Sequence, residues 1–518
     1  MINILEYPDM IIWDKKIGAD HECDSRKILF QDGEVLIKAP EGVSFVTLRW
    51  LGNIPLNGKV FGDVFERTYA DLEWRGILPE RVMPWYCAIY DGKLCEGFGV
   101  KVRPNALCFW QIDELGVSLT LDLRSGTQPT RIVKELCAAE LVHFISNESP
   151  FLFMKRFCQV MADSPVFPKQ PVYGSNSWYY CYSPSNPDLV EKDAILLEEL
   201  TSDFENRPYT VVDCGWSDTC TPEDPCPGTA MTEGSKTFGD MKELAERIKR
   251  HGVRPGLWLR PLCVSNSESF PEKLILHKVA PYSYPCLDPS QPEALNIIAR
   301  DIKKVTAEWG YELIKIDFST YDLFKRFHEY GMIDNMNGEV KFADDTKTTA
   351  QIVKDFYAVV AENASGAVII GCNCISHLCS GYFHLYRTGD DTSGQVFERT
   401  RRMGVNTLAF RLCQHKVFYD IDADCIGQTD KISWERNKAW LDILANSGTP
   451  LFVSIHPDTI TNEQKASLRD AFRHASQQTD VLEPLDFTDL RYPVRYLING
   501  EERRYQWLEN TGVTDFTI

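Results

Sequence analysis

The chain has 518 residues, of which 44% are hydrophobic, 25% charged and 12% aromatic, a balance that excludes disordered and collagen-like polymers and suits a folded chain with large apolar cores. Its 55 Lys and Arg against 74 Asp and Glu leave a net charge of −19, which argues against a nucleic-acid or anionic-membrane partner. With 12 Trp, 21 Tyr and 27 Phe the chain instead suits a neutral ligand that stacks on rings.

The opening Met1-Ile-Asn-Ile-Leu-Glu-Tyr7 has no basic flank leading into a long apolar stretch, so no secretory signal is expected. No run of about 18 apolar residues follows anywhere, so no membrane span is expected and the location reads as cytoplasmic. The 17 cysteines, odd in number and embedded in strand-like segments, read as reduced thiols.

Residues 1–165 read as antiparallel sheet, an N-terminal β-sandwich. Val117 to Arg124 alternates apolar Val117, Leu119, Leu121 and Leu123 with polar partners, the period of a half-buried strand, and Val43 to Trp50 behaves alike. Pro40-Glu-Gly42 and Asp91-Gly92 read as turns. From about Val172 short β-branched or aromatic runs alternate with amphipathic helices. Asp240-Met-Lys-Glu243 has the form of a capping box opening a helix that Gly252 closes, and Pro292 opens another that Gly310 ends.

Strand candidates fall at Val172–Tyr179, Tyr209–Asp213, Pro255–Leu259, Leu313–Asp317, Val368–Cys372, Phe383–Arg387, Lys416–Ile421 and Pro450–Ser454. This rhythm over residues 166–460 predicts an α/β fold, a (β/α)8 TIM barrel, followed by a small C-terminal β appendage over 461–518.

Barrel active sites lie at the C-terminal ends of the strands, and here several ends are polar: Asp213, Arg260, Asp317, Cys372, Arg387 with Asp391, and Asp422 with Asp424. Any one of these is equally a cap or turn former. Asp317 ends an apolar strand with Lys315 two residues back on the same face, and a neighbouring ammonium keeps a carboxylate ionised, as a nucleophile requires. Arg387-Thr-Gly-Asp-Asp391 offers a second carboxylate, completing the pair that glycoside hydrolysis needs.

Tyr311-Glu-Leu-Ile-Lys-Ile-Asp-Phe318 resembles the nucleophile strand of the α-galactosidase (melibiase) superfamily, glycoside hydrolase family 36, and of family 27 in the same clan. Gly371-Cys-Asn373 and Arg387-Thr-Gly-Asp-Asp-Thr392 are similar to that family's Gly-Cys-Gly segment and Arg-Ile-Gly-Pro-Asp-Thr loop. Asn176-Ser-Trp178, Pro255-Gly-Leu-Trp258, Leu287-Asp-Pro-Ser-Gln-Pro-Glu293 and Asp422-Ala-Asp-Cys425 match in order.

The resemblance implies a retaining α-glycosidase acting on an oligosaccharide or glycoconjugate, without cofactor or metal, with homo-oligomerisation left open. Asp317 would be the nucleophile and Asp391 the acid/base, with Asp390 as second choice because it falls where relatives have proline. Asp213, Lys315, Arg387, Cys372, Trp178 and Trp258 would bind or wall the sugar, and Trp216 is a further ring candidate. Cys214 replaces the second of two adjacent aspartates that accept from the 4- and 6-hydroxyls of galactose, which makes a sugar altered at C4 or C6 a rival to galactose in an otherwise α-galactosidase-like enzyme. Arg260 offers a cation to a charged substrate or pairs with a nearby acid. Cys372, Cys374, His377 and Cys379 resemble a metal cluster only superficially, since their spacing is not a usual zinc pattern. A transglycosylase, and a carbohydrate-binding protein without turnover, are the rival readings.

Overall fold

The computed structural model describes residues 2–14, 26–182, 185–220, 226–264, 270–277, 285–324, 340–477 and 482–508. Its N-terminal part is a two-sheet β-sandwich. Five antiparallel strands run in the order Met10–Trp13, Phe45–Leu51, Gly116–Asp122, Leu107–Asp113, Met83–Pro84, and six strands from Lys27 to Ser146 form the other sheet. Gly116–Asp122 is central in its sheet, and its polar Thr120 and Asp122 are buried along with its apolar face. The expected wet face is therefore covered, with Asp122 satisfied by Arg124. Pro40-Glu-Gly42 is not a turn: it lies inside strand Glu34–Val43, where the register against Thr130–Ser146 slips and Gly42 sits at φ +102°. Asp91-Gly92 does turn, with Asp91 Oδ1 accepting from the amides of Lys93 and Leu94.

The barrel strands, numbered by themselves, are β1 (Tyr173–Asn176), β2 (Tyr209–Val212), β3 (Arg254–Leu259), β4 (Leu313–Ile316), β5 (Val368–Gly371), β6 (Leu385–Arg387), β7 in two pieces (Asp420–Asp422 and Ile426–Gln428) and β8 (Leu451–Ile455). All neighbours pair in parallel. The first piece of β7 pairs with β6 and the second with β8, so the break at Ala423-Asp-Cys425 is where the barrel closes. The fold is a (β/α)8 barrel with β domains before and after it.

Asp240 caps helix Met241–Arg250 by accepting from the amides of Lys242 and Glu243, and Gly252 at φ +66° follows its end. β1 is shorter than its apolar run suggests, because Trp178–Cys181 turns into helix. β7 begins later than expected, since Lys416 takes a left-handed φ of +56° and the chain turns there first. After β8, helix Asn462–Ala475 packs on helix Pro187–Thr201, with Lys465 on Glu199 and Arg469 on Asp203. Leu482–Pro484, Arg495–Ile498 and Glu501–Arg504 form a small antiparallel sheet, and residues 509–518 of the expected appendage lie outside the described residues. No helix among the described residues is long and apolar enough to cross a membrane.

The sandwich is anchored to the barrel by the segment that leaves strand Lys59–Gly62. Buried Asp63 accepts from Arg411 and Gln414; the Thr68 amide donates to Thr388, and the Asp390 amide donates to Thr68. This lays residues 63–72 across the mouth of the barrel on the side of β5 and β6.

Candidate active site

Parallel strands deliver the residues that end them into one mouth. At the end of β1, Asn176 Oδ1 accepts from the Trp178 amide at 2.8 Å and Nδ2 donates to Asp213 Oδ2 at 2.7 Å. Asp213, immediately after β2, also receives Lys315 Nζ from β4 at 2.8 Å. Burial opposes the Lys315 charge, but Asp213 first, with Asp317 adding, outweighs it and holds the ammonium pKa above its ordinary value.

Asp317 follows β4 and is buried. Its Oδ2 accepts from Trp258 Nε1 at 3.1 Å, and its Oδ1 accepts from the Phe318 amide at 2.8 Å. Phe318 has φ +58°, a conformation costing a non-glycine residue about 1 kcal/mol or more. It is held there by that hydrogen bond and by the Arg260 guanidinium, 4.5 Å above its ring. Asn373, two residues past β5, satisfies its neighbours when its amide nitrogen donates to Asp317 Oδ1 at 2.5 Å and its oxygen accepts from Arg67 Nε at 2.9 Å and Tyr69 OH at 2.6 Å.

Across the mouth, β6 ends at Arg387, which pairs with buried Asp424 from the break in β7. Asp424 also accepts from Tyr179 OH and from the amide and hydroxyl of Thr392. The loop after β6 carries both remaining carboxylates. Asp390 is clamped between Arg67 at 3.0 Å and Arg399 at 2.6 Å. Asp391 accepts from Trp178 Nε1 at 3.3 Å, Arg387 at 3.2 Å and Arg67 at 3.4 Å, and keeps 34% of its side chain exposed. Burial raises the Asp391 pKa, but Arg67, Arg387, Lys315 and Arg399 outweigh it and bring the value down to about 2. Asn176, Trp178, Lys315, Arg387, Asp422 and Asp424 line a pocket beside these groups, together with the apolar strand residues Val211, Ile370 and Phe452. Asp422 has its pKa raised by burial, against Arg387.

The structure therefore gathers Asp213, Lys315, Trp178, Trp258, Asp317, Cys372, Arg387, Asp390 and Asp391 around one mouth. Cys372 is buried beside Arg67, at 3.3 Å, and its thiol pKa is raised by burial and by Asp317, so it stays protonated. Trp258 is more than a wall, since its indole nitrogen holds Asp317.

Two expectations, on Cys214 and Trp216, are corrected, and of the two readings of Arg260 the structure supports the pair with an acid. Cys214 is not a free thiol: it is disulfide-bonded to Cys226, and the reading of all 17 cysteines as reduced is overturned. The chain after β2 returns so that the Cys226 carbonyl accepts from Arg260 at 2.8 Å, which sets Cys226 against Cys214 with Cα atoms 5.3 Å apart. Arg260 itself is buried in a forked pair with Asp322, at 2.6 and 3.1 Å, so its charge is committed to the protein and not offered to substrate. Trp216 faces away from the pocket, donating to the Trp258 carbonyl and meeting Trp309 edge-on.

His377 of the suspected metal-like cluster stacks on Trp85 at 5.2 Å, with neither ring nitrogen hydrogen-bonded, and the cluster does not converge on a point. Cys263, Cys286 and Asp322 do approach one another within 4.8 Å, but Arg260 already occupies both Asp322 oxygens.

Arg67, Tyr69, Tyr179 and Asn373 escaped the sequence reading. Arg67 and Tyr69 come from the other domain, where Asp63-Val-Phe-Glu-Arg67 looks like a charged loop, and nothing in its spacing says that it crosses to the barrel. Asn373 is visible in the sequence only within the Gly371-Cys-Asn373 motif.

No protein-family model matches the chain, and no curated protein matches its sequence. Solved structures do match its fold. TtGalA, an α-galactosidase from Thermus thermophilus in complex with p-nitrophenyl α-D-galactopyranoside, aligns over 93% of this chain and 99% of its own, with TM-score 0.61 and 19% identity. A variant of AgaA, a GH36 α-galactosidase from Geobacillus stearothermophilus in complex with 1-deoxygalactonojirimycin, aligns over 87% of this chain and 66% of its own, with TM-score 0.58 and 13% identity. The galactosidase domain of AgaSK, an α-galactosidase–sucrose kinase, aligns over 85% of this chain and 63% of its own, with TM-score 0.58 and 14% identity. At such identities the likeness is one of fold.

Proposed function

We propose that the chain is a retaining α-glycosidase of the α-galactosidase type, releasing a terminal α-linked sugar from an oligosaccharide or glycoconjugate. The observation that carries this reading is the pair of carboxylates in unlike settings at one barrel mouth. Asp317 is aimed and held by Trp258 and the Phe318 amide, while Asp391 stands partly exposed on the loop after β6. The fold likeness to proteins described as α-galactosidases, two of them bound to galactose-like ligands, supports the same class.

In the first half-reaction Asp317 attacks the anomeric carbon, the glycosidic bond breaks, and Asp391 delivers a proton to the leaving oxygen. In the second, Asp391 takes a proton from water, which attacks the same carbon and releases Asp317. Asp390 is the weaker choice because an arginine pairs with each of its two oxygens, whereas both arginines on the Asp391 carboxylate meet Oδ1 and its Oδ2 accepts from Trp178 Nε1. The anionic resting form of Asp391 suits the second step directly, and in the first step substrates with poor leaving groups draw on its small protonated fraction.

A second reading keeps this mechanism and alters the glycone from galactose at C4 or C6. Where a carboxylate would accept hydroxyls, this chain has a disulfide sulfur, a poor acceptor, beside the remaining Asp213. A panel of aryl α-glycosides differing at C4 and C6 tests class and glycone together. Hydrolysis of one member, abolished by Asp317→Asn, is expected. Silence across the panel would favour a binding protein.

A further inference from the structure

The two carboxylates given chemical roles above are joined by a residue from outside the barrel. Arg67 belongs to the segment that leaves the sandwich, pinned by the Asp63–Arg411 pair before it and by the hydrogen bonds of Thr68 to the β6 loop after it. Its side chain keeps 8% exposure, and its guanidinium lies 5.4 Å from the Tyr69 ring. One terminal nitrogen faces Asp391 at 3.4 Å and Cys372 at 3.3 Å, and the other faces Asp390 at 3.0 Å. With the Asn373 amide turned to the orientation that satisfies its neighbours, Arg67 Nε donates at 2.9 Å to its oxygen, and its nitrogen donates to Asp317 at 2.5 Å.

We propose that Arg67 is a positioning residue that fixes the two carboxylates relative to one another, touching Asp391 directly and Asp317 through Asn373, so that the sandwich domain completes the site. This rests on the glycosidase reading above. A planar guanidinium has enough donors in fixed directions to hold both arms at once; an ammonium carries the charge without the fork. Geometry of this kind matters because a misplacement of about 1 Å between reacting groups costs on the order of 100-fold in rate.

The charge of Arg67 acts on Asp391 as well. Asp391 is faced by Arg67 from the sandwich segment, Arg387 and Arg399 from β6 and the helix after it, Lys315 from β4, and Tyr179, Tyr182 and Trp178 from the helical turn after β1. Cys372 after β5 and Asp424 from the β7 break stand on the same cations, and Asp390 is adjacent in sequence. Removing one cation from this set raises the pH at which Asp391 takes up its proton.

The test is steady-state kinetics of Arg67→Gln and Arg67→Lys over the acid-to-neutral range, on an activated aryl glycoside and on an unactivated disaccharide. Thermal unfolding of each variant serves as the folding check. Arg67→Gln is expected to lose roughly 10- to 100-fold in kcat on both substrates with KM little changed. It is also expected to move the ionisation governing the unactivated substrate upward by about one pH unit. Arg67→Lys should restore the wild-type pH profile but not kcat, and this variant alone decides the matter if Arg67→Gln does not fold. A folded Arg67→Gln with wild-type kcat and pH profile overturns the proposal, as does a shared, unshifted pH profile in both variants. Wild-type protein silent on every glycoside instead overturns the glycosidase reading on which the proposal rests.

Discussion

Asp63 of the sandwich and Arg411 of the barrel face each other at 2.7 Å with neither side chain exposed to solvent. Gln414 adds a third contact to the carboxylate, and Arg411 also reaches the carbonyls of Thr388 and Glu66. The pair therefore ties the loop that carries Asp390 and Asp391 to the segment that carries Arg67.

Removing one partner leaves the other charged and buried, which costs about 3–5 kcal/mol. Arg411→Met is expected to lose stability on that scale in urea unfolding and to lose activity under conditions where it remains folded, because the segment it holds is no longer seated. Unfolding at the wild-type midpoint would contradict this.

Asp391 and Asp390 are separable by leaving group. Asp391→Ala should slow unactivated substrates far more than activated aryl glycosides, and azide should restore turnover of the latter. The same pattern from Asp390→Ala would exchange the two roles. Because the Asp391 pKa is held down to about 2, the protonated fraction grows as pH falls toward that value. Its growth is about tenfold per pH unit, so wild-type rates on unactivated substrates, relative to activated ones, should rise as pH is lowered from neutrality.

His377 and His415 are buried, and burial pushes each pKa from 6.5 down to about 3, with Lys354 adding at His377 and Lys416 at His415. The unfolded chain takes up these protons below pH 6.5 while the folded chain refuses them until about pH 3. Their effect is nil above that window, and stability falls as pH is lowered through it, by about 1.4 kcal/mol per pH unit for each histidine. His377→Phe keeps a ring against Trp85 and should remove one histidine's share of the slope; an unchanged slope contradicts the assignment.

The Cys214–Cys226 disulfide spans 12 residues of sequence, a loop whose closure is worth about 3 kcal/mol to the folded state. Cys226→Ser should lose about that much in denaturant unfolding. In the Cys226→Ser background, Cys214→Asp should move the preference of the enzyme toward α-galactosides. An unchanged ratio between glycones would remove Cys214 as the source of altered specificity.

The barrel was legible because parallel strands are short apolar runs, and each of the eight candidates overlaps or adjoins an observed strand. Lys416–Ile421 overlaps least: Val417, Phe418 and Tyr419 are β-branched or aromatic, but a left-handed Lys416 turns the chain before the strand begins. The polar strand ends were equally visible, and Asp213, Lys315, Asp317 and Arg387 all face the mouth, because alternation along a strand fixes which side a residue takes. What could not be read were contacts made across sequence. Arg67 lies 324 residues from Asp391, and Arg260 and Asp322 are 62 apart, so only the closed fold reveals that one cation joins the site and the other is spent inside the protein. The disulfide was missed for the same reason, since cysteine number and context do not report which pairs approach.

A retaining reaction here requires a covalent bond between Asp317 and the sugar. A 2-deoxy-2-fluoro or comparable slow-turnover α-glycoside of the best panel sugar, followed by peptide mass analysis, tests it most directly. A single glycosyl adduct is expected on the peptide containing Asp317, absent in Asp317→Asn and formed by an enzyme whose product retains the α-configuration. An adduct on Asp391, or an inverted product with no adduct, would contradict it.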